Sequence, residues 1–313
     1  MTVASAPVDP SDRRRELIGI FCVVISALAL ALKGILAKYI FAEGVDVATL
    51  LAIRYTLALP MIAAVAIYIT GSPAALKMAP RDFVMAMLAG VVGYYVAGVL
   101  DFTALTMIDV SVERVLLFSF PVFVLVLDSI RRRRPPPPRQ IVALVLAETG
   151  IVLVMGIADF QLFLANLEGG LWAIASAFVF AIYYMMNQAL GPRLGSARMA
   201  MSAIIGAALG TDLHFLITTP IENLATGWTA FGWIAVMALF CSVVPFLLIT
   251  EGIRRVGASR SALISTVGPV ATLVLAWVLL DETMAWEQLA GAALVIASIL
   301  ALEGRLPRWG RKP

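Results

Sequence analysis

Long apolar stretches alternate with short polar ones along almost the whole chain. Apolar stretches of about 20 residues predict transmembrane helices, because only a helix pairs all of its own backbone groups in lipid. We predict ten, numbered spans 1 to 10, with the ranges 17 to 41, 47 to 69, 83 to 107, 110 to 130, 140 to 158, 169 to 190, 197 to 219, 228 to 250, 258 to 280 and 285 to 304.

A shift of 148 residues brings two stretches of the chain into register without a gap. The shift places Ser111 on Ser259, Pro121 on Pro269, Leu125 on Leu273 and Gln140 on Gln288. The chain therefore reads as a duplication, with one five-span repeat at residues 17–158 and a second at 159–304. Because five is an odd number, the second repeat enters the membrane from the opposite face, an arrangement typical of secondary transporters.

The composition supports an all-α integral membrane protein. Hydrophobic residues make up 61% of the chain and charged residues 14%, and the mean hydropathy is +0.96, which excludes an ordinary soluble domain. Two cysteines, Cys22 and Cys241, lie in apolar stretches and provide neither a disulfide framework nor a CxxC metal site. We therefore expect no cofactor and no bound metal.

Charge predicts the topology. The net charge is +3 and the pI about 9.0, but the basic residues are spread over alternate polar segments and do not form one nucleic-acid-binding face. Most Lys and Arg residues lie in these alternate segments, and acidic residues dominate the others. By the positive-inside rule, the tails at residues 1–16 and 305–313 are both cytoplasmic, as expected for a multi-pass protein of a bacterial inner membrane.

Degenerate motifs in both halves resemble the EamA domain of the drug/metabolite transporter superfamily. In the second half the resemblance rests on Ala258, Ser259, Ala262, Pro269, Val270, Ala276, Leu280, Glu282, Gln288 and Gly291, and in the first half on Ala52-Ile53-Arg54-Tyr55 with Ser111, Pro121 and Gln140. It implies a ten-helix, inverted-repeat carrier whose cavity is lined by spans 1, 3, 4, 6, 8 and 9. It also implies export of a small metabolite such as an amino acid or an organic anion. One departure is Ala31-Leu32-Lys33-Gly34, where the family usually has a Trp-Gly pair.

Charged residues inside the spans are candidates for substrate binding or coupling, because each costs roughly 2.5 to 3.5 kcal/mol at a helix centre unless it is paired or hydrated. Lys33 either offers a positive charge to a carboxylate or phosphate or extends toward the outer interface. Asp101 either pairs with a basic residue or handles substrate or protons. Glu113 and Arg114 occur in the first repeat only, so they either serve an asymmetric substrate or satisfy a helix end and the interface. Arg54 is expected to be structural.

Polar aromatic and amide side chains form a second candidate group. Tyr94 in span 3 and Tyr183, Tyr184 and Asn187 in span 6 suit recognition of a small polar or aromatic metabolite, or serve packing. Pro121 and Pro269 lie at matched depth in spans 4 and 9, and we predict that they are helix hinges beside a central site.

These observations favour a secondary transporter that works by alternating access, with proton coupling through Glu113 or Asp101 as a further hypothesis. The expected partners are a small-molecule substrate and the lipid bilayer, and Glu148 in span 5 is a candidate for a homodimer contact. The alternatives are an exporter of drugs or lipid-like amphiphiles, an intramembrane enzyme, or a channel. The HExxH, GxSxG and GxxxxGK[ST] patterns are missing, which argues against an enzyme.

Overall fold

The computed structural model of the protein describes residues 10–154, 167–265, 267–280 and 286–302. The predicted end of span 5, the segment that leads into span 6, and the C-terminal tail at 305–313 lie outside the described residues. The first helix begins at Pro10, so part of the predicted N-terminal tail is helical.

Helices occupy all ten predicted spans within these residues, and we keep the span numbers for them. In chain order they are Pro10–Ala42, Val47–Thr70, Pro80–Met107, Val110–Leu117 with Phe120–Arg132, Pro138–Val154, Leu167–Leu194, Ser196–Thr218, Trp228–Val256, Ala258–Ile264 with Val267–Leu280, and Trp286–Leu302. Short 3₁₀ turns at Pro73–Leu76 and Ile221–Leu224 follow spans 2 and 7.

Six of the described helices are long and apolar enough to cross a membrane, namely those of spans 1, 2, 3, 6, 7 and 8. Spans 4 and 9 each consist of two shorter helices, and the described parts of spans 5 and 10 are 17 residues each. The protein is thus a multi-pass helical membrane protein, and the count of ten crossings stays a prediction.

The two halves repeat each other in structure. Pro80 and Trp228, which begin spans 3 and 8, are 148 positions apart, as are Pro138 and Trp286, which begin spans 5 and 10. Packing between the halves is also symmetric: span 1 packs on span 8 as span 6 does on span 3, and span 1 packs on span 9 as span 6 does on span 4. Spans 2 and 7, and spans 5 and 10, pack on each other. The core is therefore shared by both halves.

Candidate functional site

A cavity lies between spans 1, 2, 3, 4, 6, 8 and 9, with an empty volume of about 680 Å³ including the part that opens to solvent. Eight of the described lining residues are aromatic, and they are Tyr55, Tyr94, Phe102, Phe118, Phe120, Phe180, Tyr184 and Phe246. The family resemblance implied six lining spans. Span 2 adds a seventh through Arg54 and Tyr55, because both side chains point from span 2 into the middle of the bundle.

A cluster of four buried charged side chains lies at this cavity. The Nζ atom of Lys33 lies 2.5 Å from the Oδ2 atom of Asp101, so spans 1 and 3 are joined by a buried ion pair. The Nε atom of Arg114 lies 3.8 Å from the Oε2 atom of Glu113, its neighbour in span 4. This second pair is too far apart for a hydrogen bond. Arg114 Nε and Nη2, Asp101 Oδ1 and both carboxylate oxygens of Glu113 are buried and have no hydrogen-bond partner.

Arg54 is the third basic residue of the cavity, and its exposed fraction is only 1%. Its Nε donates to the Oγ of Ser242 and its Nη2 to the carbonyl oxygen of Cys241, each at 2.7 Å. The guanidinium also lies over the rings of Tyr55 and Phe102. These contacts agree with the structural role expected for Arg54, although its place in the cavity wall was not foreseen.

A hydrogen-bonded chain of polar side chains joins spans 3, 6 and 8 beside the cavity. The hydroxyl groups of Tyr94 and Tyr183 bond to each other, and Asn187 donates to Tyr183 at 2.8 Å and to Thr250 at 3.0 Å. Tyr94 also stacks on Phe246, with ring centroids 3.7 Å apart. The chain fixes the orientation of the Tyr94 ring that faces the cavity.

The structure brings five of the predicted site residues into the cavity wall, and these are Lys33, Tyr94, Asp101, Arg114 and Tyr184. Glu113, Tyr183 and Asn187 are buried next to the wall and do not line it. Sequence reasoning missed the aromatic lining residues Phe102, Phe118, Phe120, Phe180 and Phe246. A phenylalanine in an apolar span has the same signature whether it faces lipid, core or cavity, so no sequence signal was available.

The proline positions mark helix starts. Pro121 lies in the first turn of Phe120–Arg132, directly after a break at Phe118 and Ser119. Pro269 is the third residue of Val267–Leu280 in span 9. An amide in the first turn has no intrahelical acceptor in any case, so proline costs no helical hydrogen bond there. Both spans are discontinuous at corresponding positions of the two repeats, and the hinge role of the prolines stays a prediction.

Spans 3 and 8 contain a second pair of matched irregularities. Each continues through a π-helical segment, Val91–Val96 in span 3 and Leu239–Val243 in span 8, and the two segments begin 148 positions apart. Consecutive residues of span 2 reach both segments: Arg54 donates to the carbonyl of Cys241, and Tyr55 donates to the carbonyl of Tyr94 at 3.2 Å. Span 2 therefore supplies hydrogen-bond donors to the π-helical backbone of both halves. Short π-helical segments inside α-helices are frequent at functional sites.

A polar cluster joins spans 4, 6 and 9 at the end opposite to Arg114. The carboxylate of Asp128 pairs with Arg132 at 2.9 Å and accepts hydrogen bonds from Ser259 at 2.9 Å and Gln188 at 3.4 Å. Gln188 in turn accepts from the backbone amide of Ala258 at 2.6 Å. These bonds hold the ends of three spans together, span 4 from the first repeat and spans 6 and 9 from the second.

Broken and π-helical spans around a buried, charged cavity define a class of polytopic membrane protein with a central cavity. The EamA-like transporter family model matches residues 17–156 and again 167–303, so the chain belongs to the EamA-like transporter family as two repeats. It is a membrane transporter of the drug/metabolite type.

Two relatives carry transporter names, and one solved structure has a similar fold. The chain is 29% identical to "Uncharacterized transporter YcbK" of Bacillus subtilis strain 168 over 97% of this chain and 98% of the relative. It is 24% identical to "Uncharacterized transporter YyaM" of the same strain, over 74% of this chain and 77% of the relative. A solved structure titled "Crystal structure of protein" has the same fold, with a TM-score of 0.71 at 16% identity, over 95% of this chain and 99% of that one.

Proposed function

We propose that the protein is a secondary transporter that exports a small metabolite, an amino acid or an organic anion, across the bacterial inner membrane by alternating access. Both termini are cytoplasmic in this proposal, and the two five-span repeats are inverted. The observation that carries it is the cavity at the junction of the two halves, whose walls combine buried charges, polar aromatic rings and discontinuous helices. Irregular helices at matched positions of two repeats are typical of transporter binding sites.

Alternating access requires contacts that close one end of the cavity and break when it opens. The Asp128 cluster suits this role, because it joins spans of both repeats through side chains that can exchange for water. In the proposed orientation it lies at the cytoplasmic end. Coupling to protons is assigned in this proposal to Glu113 or Asp101, the two buried carboxyl groups of the charge cluster.

The first test compares the small molecules in medium and cell extract, by untargeted mass spectrometry, from bacteria that overproduce the protein. Leu30→Trp places a large ring in the cavity wall, and Leu171→Trp makes the same change at a residue that is 61% exposed on the outside of the bundle. We expect compounds enriched in the medium with the wild type and Leu171→Trp and not with Leu30→Trp. Depletion from the medium would contradict export, and no difference at equal membrane expression would contradict transport of cellular metabolites.

Reconstitution of the purified protein distinguishes a carrier from a channel and from an enzyme. A carrier exchanges labelled for unlabelled substrate in proteoliposomes and saturates, a channel does not show counterflow, and an enzyme releases a new chemical species. Glu113→Gln and Asp101→Asn, made separately, are expected to flatten the pH dependence of exchange. Unchanged pH dependence in both variants would exclude proton coupling through this cluster and leave the carrier function standing.

The aromatic wall also favours a second candidate, an exporter of drugs or lipid-like amphiphiles. Aromatic rings offer a large apolar contact surface for drugs and amphiphiles. The same mass spectrometry experiment with added hydrophobic dyes and antibiotics decides between the two, because a drug exporter lowers their accumulation without enriching any cellular metabolite in the medium.

A further inference from the structure

We infer that the cavity binds a monoanionic carboxylate with an aromatic body, held by Arg114, in preference to a zwitterionic amino acid. The inference rests on the proposed transport function and narrows its substrate class. It follows from the charge balance of the cavity, from the unsatisfied donors of Arg114, and from the aromatic wall.

The charges of the described residues around the cavity do not cancel. Lys33, Arg54 and Arg114 line it, and Asp101 is the one acid among the described lining residues. Even with Glu113 behind Arg114 counted as ionised, one positive charge is in excess. A buried uncompensated charge is costly in a low-dielectric interior, so the empty cavity lacks one negative charge. A substrate with one net negative charge supplies it, and a zwitterion supplies none.

Among the described basic residues of the cavity wall, the donor atoms that are buried without a hydrogen-bond partner belong to Arg114. Lys33 is paired with Asp101, and Arg54 is bonded to Ser242 and Cys241. Arg114 is only 2% exposed, yet its Nε and Nη2 have no hydrogen-bond partner, and the nearest carboxylate oxygen of Glu113 is 3.8 Å away. Nε and Nη2 form one edge of the guanidinium group, which matches the two oxygens of a carboxylate in a bidentate pair.

An ammonium group has no comparable place. Among the described lining residues, the buried acceptor atom without a partner is the Oδ1 of Asp101, whose other oxygen already contacts Lys33. The two unpartnered oxygens of Glu113 belong to a residue that does not line the cavity. An ammonium group bound there would lie beside Lys33 and restore the positive excess that the substrate carboxylate had removed. The Asp101 oxygen therefore suits a neutral donor, such as a substrate hydroxyl group.

The wall around Arg114 fits a flat apolar body. Phe118 and Phe120 follow Arg114 on span 4, and Phe120 packs on Phe180 and Tyr184 with ring centroids 5.5 and 5.0 Å apart. Rings in edge-to-face and tilted arrangements of this kind accept a further aromatic ring as an added partner. Charge and shape together select an aromatic monocarboxylate.

Three probes with the same phenyl body test the inference: 3-phenylpropanoate, phenylalanine and 2-phenylethylamine, which are an anion, a zwitterion and a cation near pH 7. Each is titrated against the purified full-length protein, with thermal stabilisation as the measure of binding. We expect half-maximal stabilisation by 3-phenylpropanoate at a concentration at least about tenfold below that of phenylalanine, because the ammonium group of phenylalanine has to be buried without a counter-charge. Equal or tighter binding of phenylalanine, or no binding of 3-phenylpropanoate, would overturn the inference.

Arg114→Gln is expected to abolish the preference for the anion, and Arg114→Lys to retain part of it. Arg198→Gln is the matched control, because Arg198 donates to the carbonyl of Ala75 outside the cavity. A preference that survives Arg114→Gln would contradict the assignment. If the variant fails to fold, the wild-type comparison of the three probes still decides.

Counterflow of the same probes keeps this inference apart from the proposed function. Exchange of phenylalanine in preference to 3-phenylpropanoate would refute the anion preference and support the carrier. The absence of exchange or export of any compound would instead refute the proposed function.

Discussion

The Nζ atom of Lys33 lies 2.5 Å from Oδ2 of Asp101, and this contact joins helices whose two residues are 68 positions apart in the chain. Both residues are at most 8% exposed. Removing one partner of a buried pair leaves the other charge unpaired, at a cost of about 3 to 5 kcal/mol, whereas replacing both with apolar residues is often near neutral.

We therefore expect Lys33→Met and Asp101→Leu each to lower the thermal stability of the protein in detergent, and the double variant to recover most of the loss. Fluorescence-detected size-exclusion chromatography after heating measures the midpoint temperature of thermal denaturation for each variant. Additive losses in the double variant would show that the two side chains do not act as a pair. Transport by the stable double variant would separate the structural role of the pair from a coupling role.

Close packing of spans 3 and 7 gives a second prediction. A Cβ atom at Gly90 would lie 1.8 Å from the carbonyl oxygen of Ala203, and one at Gly206 would lie 2.1 Å from that of Met87. Both clashes are with backbone, which cannot move aside as a side chain can. We expect Gly90→Ala and Gly206→Ala to reduce the yield of folded protein sharply.

Gly232→Ala is the matched control, because nothing lies within 4 Å of the Cβ position at this helical glycine in span 8. Alanine there removes the entropic cost of glycine in a helix, about 0.5 to 1 kcal/mol. Its thermal midpoint is expected to equal or exceed that of the wild type. Wild-type yield from Gly90→Ala and Gly206→Ala would disprove the backbone contact between spans 3 and 7.

Arg54 and Tyr55 give a third prediction, because they bond to the π-helical segments of spans 8 and 3. Tyr55→Phe removes one neutral hydrogen bond and is expected to cost about 1 kcal/mol. Arg54→Lys loses the planar fork that reaches both Ser242 and Cys241, and we expect a larger loss of stability. Thermal midpoints in detergent check the order, and a milder effect of Arg54→Lys than of Tyr55→Phe would contradict it.

The Asp128 cluster gives a fourth prediction, on access to the cavity. Asp128→Ala removes the acceptor shared by Arg132, Ser259 and Gln188, so the end that the proposed topology places in the cytoplasm should open more often. In a background with Cys22 and Cys241 replaced by alanine, a cysteine at the cavity residue Ser265 is expected to react faster with a membrane-impermeant maleimide in inside-out vesicles.

Asp82→Ala is the control for this experiment, because it removes the pair with Arg193, a residue of span 6 whose side chain is 62% exposed. Exposed pairs contribute little, so labelling should stay at the wild-type rate. Equal labelling rates in Asp128→Ala and the wild type would show that the cluster does not close the cavity.

The sequence by itself determined the helical spans, the repeat and the family. Apolar composition sets where a helix can lie in lipid, and the offset of 148 residues predicted where spans 3 and 5 recur as spans 8 and 10. It also identified the buried charges as a group, because a charge in an apolar span needs a partner wherever that partner lies.

Only the tertiary structure decided which of those charges meet. The sequence analysis left Asp101 with pairing to a basic residue as one alternative, and in the structure that residue is Lys33. Arg114, next to Glu113, has two donor atoms without a hydrogen-bond partner. The π-helical segments and the entry of Arg54 into the cavity wall were likewise invisible in the sequence. Hydropathy is a property of each span alone, whereas these features depend on how distant spans pack and on which backbone groups their side chains reach.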